Sequence, residues 1–191
     1  MVTKADIRCE MRRRKAECPI DERTTLSARI TTALTRHPRW QAAQTVLLYH
    51  SLPDEVYTHD LIRQALDERK KVLLPVVVGD DLELRPLQHE DDLHEGAFHI
   101  LEPQGIEFTD YDAIDLAVIP GMAFTRDGRR LGRGRGYYDR LLSRLTRSKD
   151  SLSPQHTYTI GLAWPFQILT DLPTEPHDIT LDEVLSVWLP K

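Results

Sequence analysis

Apolar residues recur along this chain with two periods, and the alternation between those periods outlines a fold. Near the start, Ile7, Met11 and Arg14 fall at helical spacing, with Thr3 placed to cap the run and Asp6 three residues later. Pro19 interrupts the pattern. Asp21 can cap a second helix with the apolar stripe Leu26, Ile30 and Leu34, and His37-Pro38 is expected to end it. The period then shortens. TVLLYHSL (45–52) and KKVLLPVVV (70–78) are β-branched, apolar runs suited to buried strands. Between them, Thr58 is placed to cap HDLIRQALDERK, a helix with Leu61, Ile62, Ala65 and Leu66 on one side. Strand, helix and strand in this succession predict a βαβ unit in a parallel sheet.

The middle of the chain is less regular. LELRPL (82–87) predicts a short strand, and 94–103 a loop with brief extended pieces. AIDLAVIP (113–120) is a third strong strand. A helix follows from Tyr137 to Leu145, with Tyr138, Leu141, Leu142 and Leu145 at helical spacing. SKDSLSPQ (148–155) is expected as a surface linker, YTIGLA (158–163) as a strand, Gln167–Leu169 as a turn of helix and EVLSVWL (183–189) as a closing strand. No repeat or low-complexity tract divides the chain. A length of 191 residues suits one domain and is short for two. The expected architecture is therefore α/β: a single domain over residues 1–191 with a mainly parallel β-sheet flanked by helices.

Composition removes several classes of function. With 40% hydrophobic and 29% charged residues, the chain can bury a core, which excludes wholesale disorder. No apolar run approaches the roughly 20 residues of a membrane-spanning helix, so no membrane partner is expected. The segment MVTKADIRCEMRRRKAEC is positive but has no apolar stretch behind it, unlike a secretory signal. Cys9 and Cys18 are too few for a zinc site and read as reduced thiols of a cytoplasmic protein. The net charge of −5 hides an asymmetry: residues 1–40 hold ten Lys/Arg against five Asp/Glu. A basic first segment on an acidic body suggests attraction for a local anion rather than for nucleic acid, although a solvated amphipathic helix would carry much the same charges.

Residues 120–140, PGMAFTRDGRRLGRGRGYYDR, stand apart from the rest. Four of the nine glycines lie between Gly128 and Gly136, and six arginines lie between Arg126 and Arg140. The segment joins a buried strand to a helix, and the carboxyl end of a strand in an open α/β sheet is where ligands tend to bind. Gly132, Gly134 and Gly136 let backbone N–H groups approach a ligand closely, and a helix start behind them directs its positive end at the same point. Arg130, Arg133 and Arg135 add forked cationic donors that match phosphate oxygens. The spacing fits neither the dinucleotide fingerprint, whose third glycine would fall at Tyr137, nor a Walker A loop. By composition alone the loop is a phosphate site, with a flexible surface turn or an RG-type nucleic-acid contact as alternatives.

The full string, PG-x-AF-x-x-x-G-x-RLG-x-G-x-GYYDR, resembles the signature of the 5-formyltetrahydrofolate cyclo-ligase family. The resemblance covers nearly the whole chain. Its further marks are Lys4 and Arg8, YHSLPDEVYT (49–58), LLP (73–75), ILEP (100–103), Ile160-Gly161 with Gln167 downstream, and His177-Asp178 shortly before DEV (182–184). The resemblance implies an α/β fold and a cytoplasmic monomer with no nucleic-acid partner. It also implies conversion of 5-formyltetrahydrofolate to 5,10-methenyltetrahydrofolate, with ATP as co-substrate and Mg²⁺ as cofactor. In that reaction the γ-phosphoryl group moves to the formyl oxygen, N10 attacks the activated carbon, and phosphate leaves.

By the same resemblance, Lys4 and Arg8 reach the nucleotide phosphates. The ATP loop runs through Arg130, Leu131, Gly132, Arg133, Gly134, Arg135, Gly136, Tyr137 and Tyr138. Arg133, Gly134, Arg135, Gly136 and Tyr137 also line the folate side, and Arg133 and Arg135 act in phosphoryl transfer. The Arg135 position is commonly Lys in relatives. Asp139 and Asp178 match the magnesium ligands; otherwise they read as a first-turn helix acid and a turn residue. Glu55 and His50 match folate-contacting positions, with no proton-transfer role for His50, where relatives often have an apolar residue. Arg12, Arg13, Arg14 and Lys15 are left as surface charges. The glycine–arginine loop and two aspartates would equally serve an ATP-dependent ligase or kinase acting on another small acid, or a non-catalytic nucleotide- or RNA-binding relative.

Overall fold

A computed structural model of the chain describes residues 2–96, 99–147, 156–176 and 178–188. The expected linker at 148–155, His177 and Leu189 lie outside these. Helix α1 (Lys4–Glu17) begins as its sequence predicts. The Thr3 hydroxyl accepts the Asp6 N–H at 3.2 Å, and the Asp6 carboxylate accepts the Thr3 N–H at 2.9 Å, a reciprocal capping box. Helix α2 (Ile20–Thr35) corrects one expectation, because its cap position is Pro19 and no side chain caps it. Proline's fixed, extended backbone both ends one helix and opens the next, so Asp21 acts from the first turn on the positive helix end. His37-Pro38 does not merely end α2. His37 caps a short helix α3 (Pro38–Ala42), accepting the Arg39 N–H at 3.1 Å, with proline at a helix start where its missing N–H costs nothing.

Strand β1 (Thr45–Leu47) is shorter than the apolar run that predicted it. The chain leaves the sheet after Leu48, and residues 49–58 fold into a turn closed by side chains. Ser51 and Thr58 exchange N–H···Oγ bonds at 3.1 and 3.2 Å, and the Thr58 hydroxyl donates to the Tyr49 carbonyl at 2.5 Å. The expected cap is therefore corrected: Thr58 precedes helix α4 (His59–Asp67), but its side chain is spent on the turn and makes no capping bond. Strands β2 (Lys71–Val78) and β3 (Asp81–Leu87) form an antiparallel hairpin. The irregular middle yields a second, small hairpin, β4 (Leu93–Glu95) and β5 (Leu101–Pro103).

Beyond it come β6 (Leu116–Ile119), β7 (Ala123–Thr125), β8 (Arg130–Leu131), helix α5 (Tyr137–Arg147) and β9 (Tyr158–Leu162). The expected helical turn at 167–169 is instead one turn of 3-10 helix (Pro165–Gln167) followed by strand β10 (Ile168–Leu169), parallel to β7. Gln167 explains the switch. Its Oε1 accepts the Trp164 N–H at 2.9 Å, while Nε2 donates to the Gly121 and Met122 carbonyls at 3.0 Å each, pulling the segment alongside β7. The closing strand β11 covers only Glu183–Leu185.

The main sheet has the order β11-β9-β6-β1-β2-β3, parallel except for β3. Its faces separate by strict alternation. Val46, Val72, Leu74, Leu116 and Val118 join the core under α2, α3 and α4, whereas Leu47, Leu73, Ala117 and Ile119 join the core under α5. Both faces being covered is why these strands read as unbroken apolar runs. A third cluster, including Ile7, Met11, Met122, Ala123 and Leu131, pins α1 onto the small sheet β10-β7-β8. From β1 the chain crosses one way to β2, and from β6 the other way to β9. The carboxyl ends of β1 and β6 therefore form the switch point at which an open α/β sheet binds ligands. Among the described residues no helix is long and apolar enough to cross a membrane.

Candidate active site

The glycine-rich loop is built in two stages. Asp127-Gly128 turns β7 back onto β8, a dipeptide that commonly marks a hairpin and that sequence reading had absorbed into the loop. Gly128 has φ +92°, and its missing Cβ leaves room for the Leu181 carbonyl, which would lie 2.1 Å away from one. Residues 132–136 then run to the start of α5, exposed at 133–135 and half-buried at either end, with positive φ at Gly134 (+107°) and Gly136 (+70°), a conformation that side-chain-bearing residues rarely adopt. The positive end of α5 faces the same loop.

Two cavities meet at this loop. The first, about 380 Å³, opens at the switch point. Tyr49, His50 and Glu55 enter it from beyond β1, Pro120 and Gly121 from the end of β6, and Glu102 from β5. The second, about 610 Å³, lies between the start of α1, the loop and residues 173–175 and 178, and exposes Lys4, Arg8, Asp139, Glu175 and Asp178. Arg130, Gly132, Gly134, Gly136 and Asp139 line both. The loop is a common wall.

Charge organises each side. Arg130 is nearly inaccessible, its side chain 2% exposed; Nη2 donates to Asp139 Oδ1 at 2.6 Å and Nη1 to the Pro120 carbonyl at 3.1 Å. Its cation thus ties the loop to the end of β6. Arg8 donates from Nε to the Gly132 carbonyl at 2.9 Å, joining α1 to the loop. Lys4 meets Asp178 at 2.7 Å and Glu175 at 3.0 Å. Burial works against the Lys4 charge, but hydrogen bonds to Asp178 and Glu175 outweigh it and raise the pKa above the ordinary lysine value. On the other side, Arg133 spans Asp54 (2.5 Å) and Glu55 (2.9 Å), and Glu55 is fixed by the Leu52 N–H at 3.0 Å. The Tyr138 phenol is pushed well up by burial and by Glu55, so it stays protonated.

The structure brings every candidate residue to one or other cavity. Lys4, Arg8 and Asp178 line the second, and His50, Glu55, Arg133, Arg135, Tyr137 and Tyr138 line the first. Leu131 also lines the second, while its side chain packs in the α1 core. His50 stacks on His59 with ring centroids 3.7 Å apart, and burial, with the second imidazole, lowers its pKa to about 4. It is a neutral ring at the rim.

Lys15 departs from expectation. It is not a surface charge but a buried one, drawn in on the same helix face as Ile7 and Met11. Asp54, Glu102 and Glu175 were also not singled out. Asp54 sits beside Glu55 in the quoted YHSLPDEVYT and Glu102 within ILEP, so the signal existed as motif membership only.

Asp139 and Asp178 offer hard oxygen donors to one cleft. Among the described residues no cluster of three His, Cys, Asp or Glu side chains forms. A cation that takes one or two carboxylates and fills its remaining positions with phosphate oxygens and water fits such a pair; a metal needing an all-protein cage does not.

Fold and cavities together define a class: an open, mainly parallel α/β domain with two cavities that share a wall at the switch point. The chain belongs to the 5-formyltetrahydrofolate cyclo-ligase family, whose model matches residues 1–187. It is 30% identical over 186 residues to the 5-formyltetrahydrofolate cyclo-ligase of Escherichia coli (strain K12), covering 92% of this chain and 97% of that one. The Mus musculus enzyme of the same name is 28% identical over 195 residues, covering 95% and 92%. The NMR structure of Aquifex aeolicus 5,10-methenyltetrahydrofolate synthetase superposes with a TM-score of 0.81 at 31% identity, covering 95% of this chain and 88% of that one.

Proposed function

We propose that this chain converts 5-formyltetrahydrofolate to 5,10-methenyltetrahydrofolate, with hydrolysis of ATP to ADP and phosphate. The observation that carries the reading is the wall common to both cavities. A group passing from a nucleotide in the cleft to an organic substrate at the switch point must cross at that wall, and proximity and alignment supply most of what phosphoryl transfer needs.

The chemistry asks for no enzyme nucleophile. A formamide oxygen is a poor leaving group; once it has accepted the γ-phosphoryl group, N10 can form its bond to the formyl carbon, lose its proton, and expel the oxygen within inorganic phosphate. The chain's part is to position and neutralise. Lys4 and Arg8 would receive nucleotide phosphates, and the loop N–H groups and Arg135 would follow the moving charge. Arg133 would exchange its carboxylate partners for the phosphoryl oxygens. Glu55, an acceptor, would meet the donor edge of the pterin, and the protonated Tyr138 hydroxyl can donate beside it. Asp139 and Asp178 would hold Mg²⁺, which when bound neutralises charge on the phosphate oxygens. Action as a cytoplasmic monomer on free or polyglutamylated substrate, with residues 1–191 as one catalytic domain, completes the reading.

The test is absorbance of methenyltetrahydrofolate, followed with and without ATP and Mg²⁺. Product should form only with both. Equal formation without nucleotide at neutral pH overturns the mechanism, and ADP release with other small acids but not with 5-formyltetrahydrofolate moves the chain to another substrate.

A further inference from the structure

The amino-terminal helix carries one charge that the reaction as written does not use. Lys15 continues the face of α1 that holds Ile7 and Met11, and only 4% of its side chain is exposed. A buried ammonium is tolerated only when it is paired. The Lys15 Nζ donates to the Asp54 carbonyl at 2.5 Å, approaches Asp54 Oδ2 at 3.2 Å, and sits 3.7 Å from the Met122 sulfur. Burial lowers its pKa from the ordinary lysine value, while the Asp54 carboxylate opposes that shift.

The other oxygen of Asp54 is taken by Arg133 at 2.5 Å, and Arg133 also holds Glu55 at 2.9 Å. Lys15, Asp54, Arg133 and Glu55 therefore form one chain of alternating charge, two cations and two anions, at the edge of the substrate cavity. Lys4, Arg8 and Lys15 stand at i, i+4 and i+11 on α1, so one helix reaches from the wall of the second cavity to this charge chain, about 16 Å from end to end. Without Lys15, Arg133 alone would balance two carboxylates. Its attachment to Asp54 would tighten, because a carboxylate whose charge is shared with a second cation holds each partner less strongly than one that is not.

We infer that Lys15 is a positioning residue. By engaging Asp54 it fixes the turn carrying Glu55 and leaves Arg133 able to exchange its carboxylate partners for the transferring phosphoryl group. The inference rests on the cyclo-ligase reading above.

Turnover, KM for 5-formyltetrahydrofolate and melting temperature of Lys15→Met, Asp54→Asn and the double variant test it. Lys15→Met should lower kcat about tenfold or more, with a smaller change in folate KM and a melting temperature within a few degrees of wild type, since the Asp54 carboxylate left behind is 38% exposed and keeps Arg133 as its partner. Adding Asp54→Asn removes the surplus negative charge and should restore most of the lost turnover. A merely structural lysine gives no such recovery. Wild-type kcat in Lys15→Met, or a double variant no faster than Lys15→Met, overturns the role. If Lys15→Met does not fold, the double variant is compared with Asp54→Asn; similar kcat in the two supports the role and a tenfold gap overturns it. A wild type inert towards 5-formyltetrahydrofolate overturns the cyclo-ligase reading, and this role with it.

Discussion

The substrate-side cavity takes its walls from strand ends that the core already fixes, whereas the cleft beside it is lined by segments whose polar side chains meet one another in charged contacts. Tyr49, Pro120 and Gly121 follow directly from β1 and β6, which alternate residue by residue into cores on both faces. Here Lys4–Asp178 and Arg8–Gly132 link α1 to the two other walls, and Arg130–Asp139 closes the loop segment on itself. A cavity made by packing is ready before its ligand arrives. A cleft made by ion pairs has its polar groups occupied by one another, so a phosphate ligand binds by exchange. On the reading proposed above its affinity is the difference between two sets of charged contacts, whereas on the substrate side such competition is confined to the Arg133–Asp54–Glu55 set.

The sharpest way to break this contrast is at Arg133, which belongs to the exchanging set although it lines the packed cavity. Arg133→Ala should lower kcat by about 10²–10³, with a smaller effect on folate KM. Unchanged turnover with only a raised KM would make it a contributor to uniform binding. Glu55→Gln tests the packed side itself. It should raise folate KM about tenfold while the ATP KM stays near wild type; equal changes in both would mean the two sides do not bind separately.

The aspartates sharpen the comparison within the cleft. Asp139→Asn and Asp178→Asn should each raise the Mg²⁺ concentration needed for half-maximal rate, and the two effects should be strongly non-additive because they damage one site. Their stability costs should differ. Asp139 is the counter-ion of a guanidinium side chain only 2% exposed, so its loss should cost about 1–3 kcal/mol. The Lys4–Asp178 pair is more accessible, at 19% and 17%, and its loss should cost about 1 kcal/mol or less. Urea midpoints decide the order, and additive metal effects would separate the two aspartates into different sites.

The smallest effect concerns His50. Its imidazole binds protons less readily when folded, with a pKa of about 4 rather than 6.5. Between those values the unfolded chain holds more protons, so stability should fall as pH drops from about 6.5 towards about 4. His50→Leu should flatten that part of the profile, and urea midpoints for the two proteins across the window check it. An unchanged slope would assign it to other groups.

Much of the fold was legible because both sheet faces are buried: the unbroken runs at 45–52, 70–78 and 113–120 and the helical stripe at Leu61–Leu66 all located their elements. Boundaries failed where a side chain intervened. Thr58 and Ser51 closed a turn that the apolar run concealed, and Gln167 pulled a predicted helical turn into register with β7. The loop was legible because glycine and arginine at that density have few other uses. Lys15 was not, because the basic run Arg12–Lys15 looks uniformly solvated until the helix face bearing Ile7 and Met11 is known to be the buried one. Glu102 was hidden for a related reason: its place in the cavity depends on a hairpin too short to show a period.

The ion pair between Lys4 and Asp178 closes a separation of 174 residues. On a ribosome, the first helix emerges long before its partner, and domains gather structure from the amino terminus onward. The packed side of the site can begin to form as soon as β1, β2 and β6 have emerged. The phosphate cleft cannot, since one wall is still being synthesised. On the reading proposed above, nucleotide therefore meets no complete binding site on the nascent chain until Asp178 has been translated and has cleared the exit tunnel.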